Sequence, residues 1–207
     1  MSPRRAAAVK ETPGDPGTAL REHLVAAAQT LLAEREVTTI TARDLAREAG
    51  VSDGVLYNYF ADKNELLLTA LLRRFDELLD DFSAELPAPG TESVEENIRK
   101  YAEALYTFDV DGFPMLAKLL GDPPLLQRFL VETHRQPVYT ERVRKPVVDY
   151  LAGERRRGRI ARIDPEAAAD LLIGAIAQLA LTTVTGGRPP ARRLAALVDT
   201  LLKGIER

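Results

Sequence analysis

The stretch TARDLAREAGVSDGVLYNYF, Thr41 to Phe60, limits the fold more than any other part of this 207-residue chain. Thr41-Ala-Arg-Asp44 has the form of a capping box, with Asp in place of the usual Glu, and predicts a short helix from Thr41 to about Ala49. Leu45, Ala46 and Ala49 give that helix one apolar side. Gly50 stands where a C′ residue with positive φ is wanted. Val51 is the apolar plug of the turn, and Ser52 is placed to cap a third helix from Asp53 to about Phe60. Leu56 and Phe60 are four residues apart on that helix and point inward. Two short helices joined by a tight glycine turn and wedged apart by apolar residues hold the second helix at a fixed angle. A helix held in that way fits the major groove of DNA.

The flanking segments are helical too. Leu20, Leu24, Ala27, Ala28, Leu31 and Leu32 recur at spacings of three and four and predict a helix from about Thr18, its N-cap, to Arg35. Asp62-Lys-Asn-Glu65 is a second capping box and opens a long helix to about Glu85, ended by Pro87, Pro89 and Gly90. Ser93-Val-Glu-Glu96 caps a helix to about Phe108. A loop is expected at 109–114, then a short helix around Met115 to Leu120. Asp122-Pro123 starts another helix, with proline where its missing N–H costs nothing. Pro137 begins a segment reaching Arg157, and Pro146 predicts a kink or break inside it. Asp164-Pro165-Glu166 caps an apolar helix to about Thr185, and a last helix runs from Ala191 to about Ile205. No segment of strand period is long enough to use. The fold class read from this pattern is all-α.

Composition narrows the chemistry. The chain has no cysteine, which excludes disulfides, thiolate metal sites and cysteine nucleophiles. Its two histidines, His23 and His134, are far apart in sequence. No nucleophile–base pair, phosphate-binding loop or metal cluster is present, so no catalytic residue, metal site or cofactor is expected, and the chain is not read as an enzyme. The N-terminal residues 1–17, with Arg4, Arg5 and Lys10, read as a flexible tail without the apolar core of a signal peptide. The apolar run Ala167 to Val184 is interrupted by Asp170 and Gln178. It reads as a helix buried in a protein, not as a membrane span. A cytoplasmic location is expected. The formal net charge of −3 gives no strong basic footprint.

The outward side of the third helix carries Asp53, Gly54, Val55, Tyr57, Asn58 and Tyr59. Tyrosine hydroxyls reach phosphate oxygens and fix register on a duplex. Asn58 can pair with an adenine edge or a phosphate. Lys63, opening the next helix, and Arg43, in the first turn of the supporting helix, can neutralise phosphates. The expected DNA-contacting set is Thr41, Arg43, Ser52, Asp53, Gly54, Val55, Tyr57, Asn58, Tyr59 and Lys63.

Residues from about Thr18 to Leu72 resemble the DNA-binding domain of the tetracycline-repressor (TetR) family. The resemblance rests on Thr41, Leu45-Ala46, Ala49-Gly50-Val51-Ser52, Gly54, Leu56-Tyr57, Tyr59-Phe60, Lys63 and Leu66. It implies an all-helical homodimer that represses genes and releases DNA when a small molecule enters the C-terminal domain. It also implies that Arg43, Tyr57, Asn58, Tyr59 and Lys63 occupy positions that touch DNA. Asp53 departs from the pattern, since family members often carry Lys, Arg, Gln or Pro there. Its carboxylate suits the helix N-terminus, where negative charge is stabilised, or accepts from a cytosine amine. Asp44 and Glu48 add further negative charge, so Arg4, Arg5 and Lys10 of the tail are expected to supplement DNA affinity.

The domain organisation expected is a tail over 1–17, a helix-turn-helix DNA-binding domain over 18–63 with its motif at 41–60, and a helical ligand-binding and dimerisation domain over 64–207. A palindromic operator calls for two modules about one helical turn apart, hence a two-fold dimer. The interface is expected on the apolar helix at Ala168, Leu171, Leu172, Ala175, Ile176 and Leu179. Tyr101, Leu105, Phe108, Phe113, Met115, Phe129, His134 and Gln178 are of pocket-lining type and are the candidates for binding a small-molecule effector. The rival reading is a helical protein-interaction module without sequence-specific DNA binding.

Overall fold

The computed structural model describes residues 16–84, 86–135, 140–187 and 191–205, and none of them forms a strand. The all-α class therefore holds, in nine α-helices among the described residues. The chain divides into two compact units, Met1–Leu71 and Leu72–Arg207. Their boundary falls inside a helix, later than the 63/64 boundary read from the sequence.

The first unit contains α1 (Pro16–Glu34), a 3₁₀ turn (Val37–Thr39), α2 (Ala42–Glu48), α3 (Asp53–Tyr59) and the start of α4 (Lys63–Ser83). Helix α1 begins two residues before the expected cap. Pro16 takes the first position, where a missing N–H costs nothing, so Thr18 lies inside the helix and not at its cap. Leu24, Val25, Ala28 and Leu31 of α1 are buried with Leu45 and Ala46 of α2, Leu56 of α3, and Leu66, Leu67 and Ala70 of α4. The 3₁₀ turn buries Val37, and Ile40 follows it with no exposure.

The second unit contains the rest of α4, α5 (Val94–Leu120), α6 (Pro123–Arg135), a π-turn (Thr140–Arg144), α7 (Lys145–Arg156), α8 (Pro165–Val184) and α9 (Ala191–Ile205). One expectation fails here. The loop at 109–114 and the separate helix after it do not form, because α5 runs unbroken to Leu120 with Pro114 inside. Leu105, Phe108, Gly112, Met115 and Leu119 follow one another at three- and four-residue steps, so burial of a single stripe continues past the proline. Phe108 and Leu119 are both buried. That burial offsets a proline cost of about 3 kcal/mol. The break expected at Pro146 takes the form of the π-turn, and Pro146 falls in the first turn of α7, where it removes no helical bond.

Helix α8 is long and apolar enough to cross a membrane by length and composition alone. In the structure it is the central core helix of its unit. Ala169, Leu172 and Ile176 are buried, packing in one core with Ile98, Ala102 and Leu105 of α5 and with Val198 and Leu202 of α9.

Candidate nucleic-acid interface

The turn between α2 and α3 is built as its residues dictate. Thr41 Oγ1 accepts from the Asp44 N–H at 3.1 Å, and Asp44 Oδ2 accepts from the Thr41 N–H at 3.0 Å. At the other end Gly50 adopts φ +65°, a left-handed conformation that favours glycine. The Gly50 N–H donates to Arg47 O and the Val51 N–H to Ala46 O, the paired bonds of a Schellman cap. Ser52 occupies the N-cap of α3 but, against expectation, its side chain makes no capping bond. The start of α3 is held instead by the Val55 N–H donating to Ser52 O at 2.9 Å.

Three contacts that sequence reasoning missed fix this turn on its support. His23 Nε2 of α1 lies 2.9 Å from the Ala49 carbonyl, so that nitrogen carries the proton and donates across the helix pair. The Arg21 guanidinium stands 5.1 Å from the centre of the Phe60 ring. Lys63 Nζ donates to Ile40 O at 2.8 Å and ties the start of α4 to the entry of α2. The side chains carry no periodic signal that announces such partners, which are far apart in the sequence.

The resulting surface gathers most of the expected set. Thr41, Arg43, Ser52, Asp53, Gly54, Tyr57 and Asn58 are exposed, while Val55, Tyr59 and Lys63 are half-buried. Tyr57 is 55% exposed, a large ring held out from a helix whose other face is fully buried at Leu56. The Thr41 hydroxyl is committed to the cap. Lys63 keeps two ammonium hydrogens free of Ile40 at a position the backbone holds. Asp44 differs from its expected role as a repulsive charge. Its carboxylate pairs with Arg47 at 2.9 Å and Arg35 at 3.3 Å. The hydrogen bonds of Thr41, reinforced by Arg35, hold it ionised well below the usual carboxylate range. The tail residues Arg4, Arg5 and Lys10 lie outside the described residues.

Gly54 is informative because the fold does not require it. A Cβ built there meets nothing within 4 Å. The position is exposed and opens onto free space at the N-terminal turn of α3, so nothing within the chain calls for glycine there. Gly54→Ala is expected to stabilise the fold by about 0.5 kcal/mol through helix propensity. The same change is expected to weaken DNA binding by roughly tenfold, about 1.4 kcal/mol. Thermal melts and a fluorescence-anisotropy titration read the two opposite signs.

In the second unit the expected effector residues are dispersed. Tyr101, Leu105, Phe108 and Phe129 are buried. Phe113 and Met115 are half-buried and Gln178 is exposed, so Gln178 faces away from the interior. The His134 side chain lies outside the described residues. A cavity of about 620 Å³ opens between α4 and α5, lined by Leu78, Phe82, Lys100, Glu103, Phe108 and Asp111 among others, and shares only Phe108 with that set.

The expected interface residues divide. Ala168, Leu172, Ile176 and Leu179 turn into the core of their own unit. Leu171 is 68% exposed, and Ala175 is half-buried. Leu171 and Ala175 line an apolar groove of about 540 Å³ with Leu197 and Leu201 of α9, a helix the sequence reading did not assign to the interface.

This geometry defines a helix-turn-helix protein with a separate all-helical second unit. Residues 24–70 match the family described as bacterial regulatory proteins, tetR family. The HTH-type transcriptional regulator AlkX of Mycobacterium tuberculosis is 32% identical over 124 residues, which are 58% of this chain and 57% of that protein. The HTH-type transcriptional repressor KstR2 of Rhodococcus jostii is 39% identical over 88 residues, 42% of this chain and 40% of that one. These matches span less than two thirds of each relative's length. A transcriptional regulator from Rhodococcus sp. Rha1 has the same fold, with a TM-score of 0.64 at 22% identity, covering 90% of this chain and 98% of that one. A Saccharomonospora viridis protein solved in complex with choline gives 0.67 at 18% identity, over 92% and 100%. Residues 24–70, which hold the helix-turn-helix, are thus similar to the DNA-binding domain of that family.

Proposed function

We propose that the chain is a cytoplasmic transcriptional repressor that binds a palindromic operator as a homodimer and is released from it by a small-molecule effector. The observation that carries the reading is the exposed face of α3. Tyr57, Asn58 and Gly54 stand on a helix fixed by a capping box, a Schellman turn and buried Leu56, which is the rigidity base reading needs. A ligand that prefers the conformer with misplaced recognition helices weakens DNA binding by its differential affinity. Helix α4, which runs from one unit into the other along the chain, is the candidate lever.

Selection of bound sequences from a random duplex pool tests the reading, and a palindrome is the expected product. On the selected operator, Lys63→Met is expected to weaken binding uniformly across sequences and to reduce the salt slope by about one. Tyr57→Ala is expected to cost roughly tenfold in affinity through a lost phosphate contact. Recovery of no enriched sequence, or variants that bind as the parent does, would exclude sequence-specific regulation.

The groove between α8 and α9 supports the dimer. An isologous interface needs a self-complementary apolar patch, and a 68%-exposed leucine on such a groove is a poor solvent surface. In such a dimer Leu171→Glu would bring two carboxylates into the apolar interface. It is expected to convert the dimer to monomer in analytical ultracentrifugation while leaving the helical circular dichroism unchanged.

A further inference from the structure

Three polar or charged residues are buried among the described residues: Asn97, Asp109 and Glu154. Two have structural employment. Asn97 Nδ2 donates to Thr91 O at 2.9 Å, and Glu154 accepts from the Gly90 N–H at 2.7 Å and faces Arg159. Asp109 has none. It is 7% exposed, its Oδ2 has no hydrogen-bond partner, and no cation among the described residues pairs with it. A buried carboxylate in that condition costs several kcal/mol, and replacing it by leucine would remove the cost. A group that is expensive and structurally idle marks a place where something else supplies the partner.

The residues beside it along α5 indicate what that partner looks like. Asp109 extends the buried stripe Ile98, Ala102, Leu105 one turn further along α5. Phe108, the residue before it, belongs to a cluster of rings from three helices. Phe75 lies 6.3 Å from Phe108 and 5.6 Å, edge-on, from Phe129, and Phe82 lies 5.9 Å from Phe108. One turn on, Gly112 leaves its position without a side chain, and a Cβ there would meet only Leu78 Cδ1, at 3.9 Å. A lone acceptor, aromatic faces and a vacated side-chain position fit a cation with an apolar body.

We propose that Asp109, the Phe75–Phe108–Phe129 cluster and the space at Gly112 form the effector's recognition site, and that the effector is a protonated amine carrying an apolar group. This rests on the effector-responsive reading above. The ammonium N–H donates to Asp109 Oδ2, and the apolar group lies on the phenylalanine rings.

The test is calorimetric titration of the full chain, without DNA, with 4-phenylbutylamine, 4-phenylbutanol and 4-phenylbutyrate. The amine is expected to bind roughly tenfold or more tightly than the alcohol, the worth of a charge-assisted hydrogen bond, and the butyrate not at all. Asp109→Asn is expected to erase the preference for the amine over the alcohol. Gly112→Leu keeps the carboxylate and is expected to abolish binding of both, with circular dichroism confirming the fold of each variant. No binding of the amine, equal binding of amine and alcohol, or binding unaltered in Asp109→Asn overturns the proposal. Operator binding is read separately by anisotropy. Amine binding without any DNA binding leaves the site standing and removes the regulator, while DNA binding without amine binding does the reverse.

Discussion

Glu154→Ala is expected to lower the stability of the second unit by about 2–4 kcal/mol, the cost of orphaning a buried backbone N–H and of losing a charge-assisted contact to a part-exposed guanidinium. At this chain length that is a fall of roughly 10 °C in melting temperature. Glu154 has no exposure. It binds the Gly90 N–H at 2.7 Å, and Arg159 Nε stands 3.3 Å from its other oxygen. Arg159 in turn donates to the carbonyls of Thr91 and Glu92. The carboxylate therefore ties the loop between α4 and α5 to the end of α7. Its removal orphans a backbone N–H and leaves the Arg159 guanidinium without its charge partner.

The loop is further shaped by two glycines. Gly90 takes φ +90°, and a Cβ on Gly153 would lie 2.5 Å from Pro89 Cβ, so the loop sits directly on the α7 backbone. The contrast variant is Glu154→Gln. It keeps an acceptor for Gly90 and loses only the ionic part, so its melting temperature is expected between those of the parent and the alanine variant. Equal melting of all three would show that the loop is held by packing alone.

How far the sequence disclosed this molecule depends on whether the deciding interaction is local. The cap at Thr41, the Gly50 turn, the inward pair Leu56 and Phe60, and the start of α8 at Asp164 are all set by residues within four positions of one another. All are found as read. The continuity of α5 through Pro114 is decided by burial along the whole helix, and local breaker signals pointed the wrong way. The Lys63–Ile40, His23–Ala49 and Glu154–Gly90 bonds join residues 23, 26 and 64 positions apart, and nothing in their neighbourhoods marks them. The exposed set on α3 was legible because outward residues on a short helix follow from its inward ones. The effector set was not. Aromatic residues at helical spacing serve a core and a pocket equally well, and Asp109 falls where a loop was expected and a helix stands.

Asp109 also sets the pH dependence expected of the isolated protein. Burial pushes its carboxyl up to about 7 from the ordinary carboxylate value. Below pH 4 the group is protonated in both folded and unfolded chains and contributes nothing. Between about 4 and 7 the folded chain holds a proton that the unfolded chain has released, so stability falls as pH rises through that window and levels off above it. The contribution reaches on the order of 4 kcal/mol at pH 8. Asp109→Leu lacks the titration. In urea melts its stability is therefore expected to differ little from the parent's at pH 4 and to exceed it by most of that amount at pH 8. A gap between the two that does not widen with pH would mean that the carboxyl is solvated in the folded chain and has no penalty to relieve. If the gap does widen, saturating amine should close it from the parent's side, because an ammonium on Oδ2 compensates the same charge that leucine deletes. The pH series and the ligand series would then measure one burial cost by two independent routes.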